Sequence, residues 1–251
     1  MSLTGQHVVI TGGSGGVGRE LSRVFANAGA RVSLLGRDIA ALRAIADDTG
    51  GFAAACDVTD FDAVDQALAA CRAAHGPIAI ALANAGSAPS EPFLETGPDE
   101  FRAAIDVNLA GVFNLWRLAA VDMAAGGWGR LIAVASTAGL KGYPYVAPYV
   151  AAKHGVVGLA RAVAQELAPK AITANAICPG FIETPMLDRA IDTIAEKTGM
   201  DATQAAAALR RHNPQNRFVQ AGEVAETALW LCSDAARSVN GHALAVSGGE
   251  I

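Results

Sequence analysis

The sequence is poor in charged, aromatic and cysteine residues. Of its 251 residues, 17% are charged and 6% are aromatic, and the formal net charge is −5. Mild acidity without any run of like charges argues against a nucleic-acid-binding surface and against a basic face that docks on membranes. The cysteines lie far apart, with no Cys-x-x-Cys pair and no histidine at metal-ligand spacing, so we predict buried thiols and no metal site. They are Cys56, Cys71, Cys178 and Cys232.

Long apolar runs are also missing. No stretch of about 18 consecutive apolar residues occurs, and the N-terminus has no basic region followed by an apolar segment. We therefore expect a soluble, cytoplasmic protein. Small and apolar residues are abundant, with 27 glycines and an apolar fraction of 52%. Because one core can bury roughly 70 to 75% of the surface of an unfolded chain of this size, we expect residues 1–251 to form a single domain.

Short β-branched or leucine-rich runs alternate with alanine-rich stretches of helical period. This alternation predicts an α/β fold: a doubly wound, seven-stranded parallel sheet of Rossmann type, with helices on both faces. The predicted strands are 7–11, 31–35, 52–56, 79–83, 130–135, 172–178 and 242–246. The predicted helices are 17–28, 38–48, 60–74, 98–125, 148–168 and 221–233.

Residues 183–217 interrupt this alternation. They contain two amphipathic helical segments with no strand between them. An excursion of this kind beside the carboxyl edge of a sheet is often a lid, so we predict that 183–217 is an inserted substrate lid. Arg189, Arg210 and Arg211 within it are candidates for guiding the phosphate groups of a coenzyme A arm, although ordinary helix faces explain them equally well.

A glycine-rich turn, TGGSGGVG at 11–18, follows the first strand and opens a helix. Glycines at such a turn let the backbone approach a pyrophosphate, and the helix N-terminus offers free N–H groups to it. The alternative is a merely tight turn, which the alternating pattern disfavours. Three spacings fit at once: Gly13, Gly15 and Gly18 fit G-x-G-x-x-G; Gly12, Gly15 and Gly18 fit T-G-x-x-G-x-x-G; and Gly12, Gly16 and Gly18 fit T-G-x-x-x-G-x-G.

The second predicted strand ends in LLGRD, which bears on the choice of dinucleotide. Gly36 stands where a fold that prefers NAD usually carries an acid, and Arg37 can hold the 2′-phosphate of NADP. Alternatively, Asp38 binds the ribose, although an N-cap role in the next helix accounts for it more simply. We predict NADP(H) as the preferred cofactor, with NAD(H) possible.

Seven segments together resemble the short-chain dehydrogenase/reductase family. They are TGGSGGVG at 11–18, CDVTD at 56–60, NAG at 84–86, VNLAGVF at 107–113, ASTAG at 135–139, YVAAK at 149–153 and PGFIETPM at 179–186. The resemblance runs nearly end to end and selects the T-G-x-x-x-G-x-G spacing of the short single-domain members. The extended, epimerase-like branch needs a longer substrate domain than 251 residues supply.

The resemblance also implies a set of cofactor-binding residues. Asp57 and Val58 would contact the adenine, 84–86 would close the groove at the fourth strand, and residues 179, 180, 182 and 184 would approach the nicotinamide end. Taken alone, Asp57 could instead start a turn, and Pro179-Gly180 could merely end a strand. The full implied set is Thr11, Gly12, Ser14, Gly16, Val17, Gly18, Arg37, Asp57, Val58, Asn84, Ala85, Gly86, Tyr149, Lys153, Pro179, Gly180, Ile182 and Thr184.

A catalytic constellation can be argued from residue chemistry. Tyr149 and Lys153 are four apart in a helical pattern and share a face, while Ser136 lies at the carboxyl end of the fifth strand. Reduction of a carbonyl creates an alkoxide that must be protonated and stabilised. We assign Tyr149 as proton donor and Ser136 as the group that polarises the carbonyl. Lys153 and the positive charge of the oxidised nicotinamide would together lower the pKa of Tyr149. Lys153 would also hold the nicotinamide ribose.

Asn108 and Asn114 lie in the long predicted helix at 98–125, where asparagine is a poor former because its amide competes for backbone hydrogen bonds. Composition alone does not choose between them. The family resemblance selects Asn108 and implies that it binds a water in a proton relay from Lys153. A helix-kinking amide is the structural alternative.

The substrate is less defined. The segments 147–168, 175–186 and 213–250 are similar to 3-oxoacyl-thioester reductases. This similarity implies reduction of a 3-oxoacyl-CoA or acyl-carrier-protein thioester to the 3-hydroxyacyl thioester. Tyr143, Tyr145, Met186 and Leu187 are candidate pocket residues, with plain packing as the alternative. A dehydrogenase of a free secondary alcohol or a cyclic or aromatic ketone stays open, and so, more remotely, does a non-catalytic nucleotide sensor. The family is commonly tetrameric, so a homotetramer is implied.

Overall fold

The computed structural model describes residues 2–251 and contains one seven-stranded sheet in which every pair of neighbouring strands is parallel. The strands are β1 (His7–Thr11), β2 (Arg31–Gly36), β3 (Phe52–Ala55), β4 (Ile80–Ala83), β5 (Gly129–Val134), β6 (Ile172–Pro179) and β7 (Ala243–Val246). The predicted architecture is confirmed, and the predicted strand ends differ from the observed ones by at most one residue.

Helices cover both faces of the sheet. They are α1 (Gly16–Asn27), α2 (Ile39–Thr49), α3 (Phe61–His75), α4 (Pro98–Ile105), α5 (Gly111–Gly126), α6 (Ala147–Leu167), α7 (Pro185–Thr198), α8 (Ala202–Arg210) and α9 (Ala221–Leu231). Side chains alternate between faces along a strand, so Val9 packs with α3, α5 and α6 while Val8 and Ile10 pack with α1, α2 and α9.

The long helix predicted over 98–125 is interrupted by a π-helical turn at Asp106–Ala110, in which the Gly111 N–H bonds to the Asp106 carbonyl. The continuous helical stretch Pro98–Gly126 is long and apolar enough to cross a bilayer, judged by length and composition alone. Its Val112, Leu115 and Met123 side chains are buried in the core against β4 and β5. We therefore interpret this stretch as a core helix of the α/β fold.

The strand order β3-β2-β1-β4-β5-β6-β7 reverses direction between β1 and β4. Open α/β sheets bind ligands at the carboxyl ends of their strands beside such a reversal. Helices α7 and α8 occupy the 183–217 stretch between β6 and α9, and a parallel bridge between Ile182 and Val219 joins its two ends. The expected ligand site therefore lies at the carboxyl ends of the strands, with α7 and α8 beside it.

Candidate active site

The glycine turn after β1 is shaped by close backbone contacts. Gly12 has a φ of +64°, and a Cβ built on it would lie 2.8 Å from the Cα of Ala85. A Cβ on Gly18 would collide with the carbonyl oxygen of Gly12, so α1 packs directly on the turn. Helix α1 begins with no side-chain cap and no acidic residue in its first turn. Its first N–H groups therefore suit an anion such as a pyrophosphate.

Thr11 and Asn84 hold the ends of β1 and β4 together at the reversal of strand order. The Thr11 Oγ1 accepts hydrogen bonds from the backbone N–H groups of Asn84 (3.1 Å) and Ala85 (3.3 Å). The Asn84 Nδ2 donates to the carbonyl oxygens of Thr11 (3.1 Å) and Gly12 (3.0 Å). These two predicted cofactor residues thus shape the groove through the backbone.

The remaining predicted residues of the glycine turn and of 179–184 converge on this groove. A Cβ on Gly16 would lie 2.7 Å from the Thr184 Cγ2, so the start of α7 rests against the start of α1. Ser14 lies in the turn, and Val17 is buried beneath it. Pro179 is the last residue of β6 and is buried, and Ile182 after it packs against the core.

At the end of β2, the structure assigns Asp38 and Arg37 different environments. The Asp38 Oδ1 accepts a hydrogen bond from the Ala41 N–H (3.0 Å), which makes Asp38 the N-cap of α2. The Arg37 side chain is exposed and forms no hydrogen bond or ion pair with any residue in 2–251. A guanidinium without a protein partner, following a strand end that lacks an acid, fits the 2′-phosphate of NADP.

Asp57 and Val58 lie after β3, on the adjoining side of the predicted cofactor groove. The Asp57 Oδ1 accepts hydrogen bonds from the Thr59 N–H (3.0 Å) and Oγ1 (2.8 Å). These bonds lower the pKa of the Asp57 carboxyl, and Arg37 contributes in the same direction. The Val58 carbonyl oxygen accepts from the Asn114 Nδ2 (2.8 Å). Asn114 therefore fixes the backbone at Val58. Composition alone did not distinguish Asn114 from Asn108 and so did not predict this contact.

Three side chains with complementary chemistry meet at the carboxyl end of β5. Ser136 follows this strand, and its Oγ accepts a hydrogen bond from the Ala138 N–H (3.1 Å). Helix α6 carries Tyr149 and Lys153 on one face, with the Lys153 Nζ 5.4 Å from the centroid of the Tyr149 ring. The same Nζ donates to the Val134 carbonyl oxygen at 3.0 Å. The residues that the sequence analysis assigned to catalysis are thus brought together.

Burial shifts the pKa of the two ionisable members of this trio. It raises the pKa of Tyr149 to about 12, and the nearby Ser136 hydroxyl acts in the opposite direction. It lowers the pKa of Lys153 to about 8, because an ammonium is disfavoured away from water. The expected lowering of the Tyr149 pKa by Lys153 is therefore not seen within the chain alone. At neutral pH the phenol keeps its proton, which is the form required of an acid.

Asn108 is fully buried in the π-helical turn and makes three hydrogen bonds. Its Nδ2 donates to the carbonyl oxygens of Ser87 (2.9 Å) and Ala104 (3.0 Å), and its Oδ1 accepts from the Ser87 N–H (3.2 Å). These bonds are the compensation expected for asparagine within a helix. A Cβ on Gly86 would lie 2.8 Å from the Asn108 Oδ1 and 3.6 Å from the Lys153 Nζ. Both side chains therefore flank Gly86; the water relay stays a prediction.

The candidate substrate residues fall into different environments. Tyr143 is half-buried and hydrogen-bonds to Thr137 and Glu250, whereas Tyr145 is 61% exposed on a backbone with a φ of 66°. On α7, Leu187 is buried and Met186 is 43% exposed. Tyr143 is thus held by hydrogen bonds and Leu187 by packing, whereas Tyr145 and Met186 are exposed.

A cavity of about 420 Å³ lies between α7 and α8. It contains none of the three residues at the end of β5. Its lining residues are Asp188, Ile191, Asp192, Ala202, Thr203, Ala206 and Arg210. Because Arg210 shares this cavity with two carboxylates, it is a poor candidate for guiding a phosphate group.

The four cysteines are buried and free, as predicted, and burial raises the pKa of their thiols to about 11 or 12. Sequence reasoning did not identify Glu250, whose side chain is only 2% exposed beside Tyr143. An acid after two glycines near the chain end has no helical or strand period that would mark it as buried.

Comparison with known proteins agrees with this geometry. A family model described as enoyl-(acyl carrier protein) reductase matches residues 12–250. A putative ketoacyl reductase of Streptomyces coelicolor is 34% identical over 248 residues, which cover 96% of this chain and 95% of the relative. A 2,5-dichloro-2,5-cyclohexadiene-1,4-diol dehydrogenase of Sphingobium indicum is 35% identical over 251 residues, covering 98% and 97% of the two chains.

The fold comparison extends over the whole chain. The crystal structure of an actinorhodin polyketide ketoreductase variant with NADPH matches with a TM-score of 0.95 and 31% identity, covering 100% of this chain and 99% of the other. The sequence motifs, the sheet order and the family match all lead to one assignment. The chain belongs to the short-chain dehydrogenase/reductase family of NAD(P)-dependent oxidoreductases.

Proposed function

We propose that this protein is an NADP(H)-dependent reductase of 3-oxoacyl thioesters, carried on coenzyme A or on an acyl carrier protein. The observation that carries the proposal is the convergence of Ser136, Tyr149 and Lys153 at the carboxyl end of β5. NADPH, when bound, supplies a hydride to the carbonyl carbon. The protein must then supply a proton and stabilise negative charge at the carbonyl oxygen.

The substrate oxygen lies between the Ser136 and Tyr149 hydroxyls in this mechanism. Ser136 donates a hydrogen bond that orients and polarises the carbonyl, and Tyr149 transfers its proton to the oxygen as charge develops there. The resulting phenolate is stabilised by the Lys153 ammonium beside its ring. We assign Asn108 to the water relay that returns the proton through Lys153.

The cofactor groove is the second part of the proposal. The first turn of α1 would hold the pyrophosphate, with Thr184 at its edge, and Arg37 would hold the 2′-phosphate. Val58 and Asp57 would border the adenine, while 84–86 and 179–182 would border the nicotinamide half together with Lys153. The NADPH-bound ketoreductase structure of the same fold supports the choice of NADP(H) over NAD(H).

The thioester substrate is supported by the ketoacyl reductase among the relatives and by the polyketide ketoreductase structure. We assign 183–217 as the lid over this substrate, with Leu187 facing inward, within a single domain that spans 1–251. A second candidate is oxidation of a free cyclic secondary alcohol, because a cyclic-diol dehydrogenase is similar to this chain to the same degree.

A substrate panel tests the proposal. The loss of NADPH absorbance is followed with acetoacetyl-CoA, cyclohexanone and crotonyl-CoA, using wild type and Tyr149→Phe as the matched control. We expect wild-type turnover of acetoacetyl-CoA and almost none in the variant. Turnover of cyclohexanone without any of acetoacetyl-CoA would establish the second candidate. Reduction of crotonyl-CoA alone would replace both with the activity that the family model describes.

We also propose a cytoplasmic homotetramer. Exposed apolar side chains on α4 and α5, Phe101 (45%), Phe113 (47%) and Val121 (55%), support an interface on that face. Light scattering coupled to gel filtration measures the assembled mass, and a monomer at micromolar concentration would reject this assembly.

A further inference from the structure

A buried carboxylate near the end of the chain joins segments that are far apart in sequence. The Glu250 side chain is 2% exposed, and its Oε1 accepts a hydrogen bond from the Tyr143 hydroxyl. The Lys141 Nζ lies 2.9 Å from the same oxygen, and the His212 Nδ1 lies 3.6 Å from it. One oxygen atom thus contacts the loop that precedes Tyr149 and the end of the 183–217 segment.

The second oxygen faces another part of the site. The Glu250 Oε2 is buried without a hydrogen-bond partner among residues 2–251 and lies 3.2 Å from the position that a Cβ on Gly180 would take. Gly248, with a φ of +64°, folds the chain end tightly under Asn213, which is buried. The segment that carries Glu250 is therefore packed closely against the Asn213 side chain.

Such a group is costly to bury unless its partners are fixed. Lys141 supplies the countercharge and also lies over the Tyr143 ring, with its Nζ 5.0 Å from the ring centroid. Burial and the hydrogen bond to Glu250 both raise the pKa of Tyr143, so this phenol remains a donor. The Tyr143 hydroxyl in turn lies 2.7 Å from the Thr137 Oγ1, and Thr137 adjoins Ser136.

Aromatic contacts connect the same cluster to Phe181, just after the end of β6. The Tyr143 ring packs edge-on against Phe181, with centroids 6.2 Å apart, and it lies 5.8 Å from the His212 ring. Phe181 directly follows Gly180 at the end of β6. Tyr143, Phe181 and His212 thus form one wall of aromatic rings, and the Glu250 Oε1 contacts Tyr143 and His212 of this wall.

We propose that Glu250 is a positioning residue for carbonyl reduction. Its carboxylate fixes the 141–143 loop and the end of the 183–217 segment relative to Ser136 and Gly180, and so sets the shape of the substrate wall. It acts through Tyr143 and His212 and does not touch the reacting atoms. The kinetic part of this inference rests on the proposed function, since it concerns the carbonyl substrate of that site.

Three variants test the kinetic consequence with acetoacetyl-CoA: Glu250→Ala, Glu250→Gln and, as the matched control, Ile251→Ala at the neighbouring half-exposed position. Because a displaced wall weakens substrate placement, we expect Glu250→Ala to raise KM about tenfold or more, with kcat and the Kd of NADPH within about threefold. Glu250→Gln keeps an acceptor for Tyr143 and should recover part of this loss. An unchanged KM in Glu250→Ala would overturn the proposal.

A double-mutant cycle separates positioning from general damage. Tyr143→Phe removes the hydroxyl that transmits the effect, so its change in KM and that of Glu250→Ala should be strongly non-additive. Additive effects would mean that Glu250 does not act through Tyr143, and the assignment would fail.

Hydrogen exchange of the protein alone supplies a readout that needs no substrate. Glu250→Ala should accelerate exchange in 139–146 and 205–217 while 52–60 stays unchanged. This pattern in a protein that reduces no member of the substrate panel would reject the proposed function and keep the positioning role. Unchanged exchange in an active enzyme would reject the positioning role and keep the function.

Discussion

The two edges of the sheet hold their polar side chains in different ways. At the amino edge, the His7 Nδ1 lies 2.7 Å from the Gly76 carbonyl oxygen, and its Nε2 lies 2.9 Å from the Ser33 Oγ. The Ser33 Oγ also lies 3.2 Å from the His75 Nδ1. Each of these atoms has a protein partner, so the cluster is a closed network.

At the carboxyl edge, polar groups keep bonding capacity. Arg37 has no partner within 2–251, and the Ser136 hydroxyl, whose oxygen accepts from the Ala138 N–H, keeps its own proton to donate. A closed network contributes to stability, whereas groups with spare capacity serve a ligand. Changes at the carboxyl edge should therefore affect activity at nearly constant stability, and changes at the amino edge should do the reverse.

Tyr149→Phe is the strongest test of that contrast. Because the variant lacks the proton donor, we expect kcat to fall by about 10²- to 10⁴-fold, the usual contribution of a general acid. Fluorescence titration should give an unchanged Kd for NADPH, and the urea midpoint should stay at the wild-type value. Near-normal turnover would show that another group donates the proton.

The amino edge should make stability depend on pH through His7. Burial lowers the pKa of His7 to about 4, below the unfolded value of 6.5. Between these values the unfolded chain binds more protons, so stability is fully present above pH 6.5 and falls as the pH is lowered towards 4. The loss should reach about 3 kcal/mol, as measured by urea unfolding at a series of pH values.

Two histidine variants form the comparison for this effect. His7→Gln should flatten the pH dependence of stability, while kcat measured at neutral pH stays within about twofold. His154→Gln changes an exposed histidine and should leave the wild-type pH slope intact. An equal slope in wild type and His7→Gln would contradict the assignment of this effect to His7.

Arg37→Ala should produce a smaller, selective loss at the carboxyl edge. Hydrogen bonds to charged groups contribute about 1.5 to 3 kcal/mol, which corresponds to a rise of roughly 10- to 150-fold in the Kd of NADPH. The Kd of NADH should not change, because NADH lacks the 2′-phosphate. Arg43→Ala, which removes an exposed charge from α2, serves as the control. Equal weakening of both dinucleotides would reject the phosphate role.

Asp38→Ala should have the smallest effect of these variants. Like a change at the amino edge, it should lower stability and leave cofactor binding unchanged. Loss of its N-cap hydrogen bond should lower the free energy of unfolding by about 1 kcal/mol. The Kd of NADH should remain that of wild type. A rise in that Kd of about tenfold or more would instead support the ribose-binding interpretation of Asp38.

The strand ends, one helix cap and the Tyr149–Lys153 pair could be predicted because each depends on residues that are close in sequence. The strand ends agree to within one residue because each buried run is bounded by turn residues, and the Asp38 cap follows from its place before an apolar helical period. The spacing of Tyr149 and Lys153 sufficed to place them on one helix face. The π-helical turn was not predicted, because the weak helix formers Asp106, Val107 and Asn108 do not distinguish a π-helical turn from an ordinary kink.

Long-range contacts account for what could not be predicted. The bond between Tyr143 and Glu250 spans 107 positions, and that between Val58 and Asn114 spans 56. Sequence spacing could not distinguish Met186 from Leu187, because only the packed helix shows which side chain points inward. The pKa of Tyr149 depends likewise on burial, which the motif does not state.

The π-helical turn at Asp106–Ala110 also sets the rotation of Asn108 about the helix axis relative to the buried face of α5. It adds a residue to a turn without breaking the helix, and each residue corresponds to about 100° of rotation in an α-helix. This extra residue offsets Asn108, which lies beside Gly86, from the buried face of α5, which includes Leu115 and Met123. Deleting one residue here would rotate Asn108 by about 100° relative to that face, so the placement of Asn108 and the packing of α5 on the sheet are geometrically coupled.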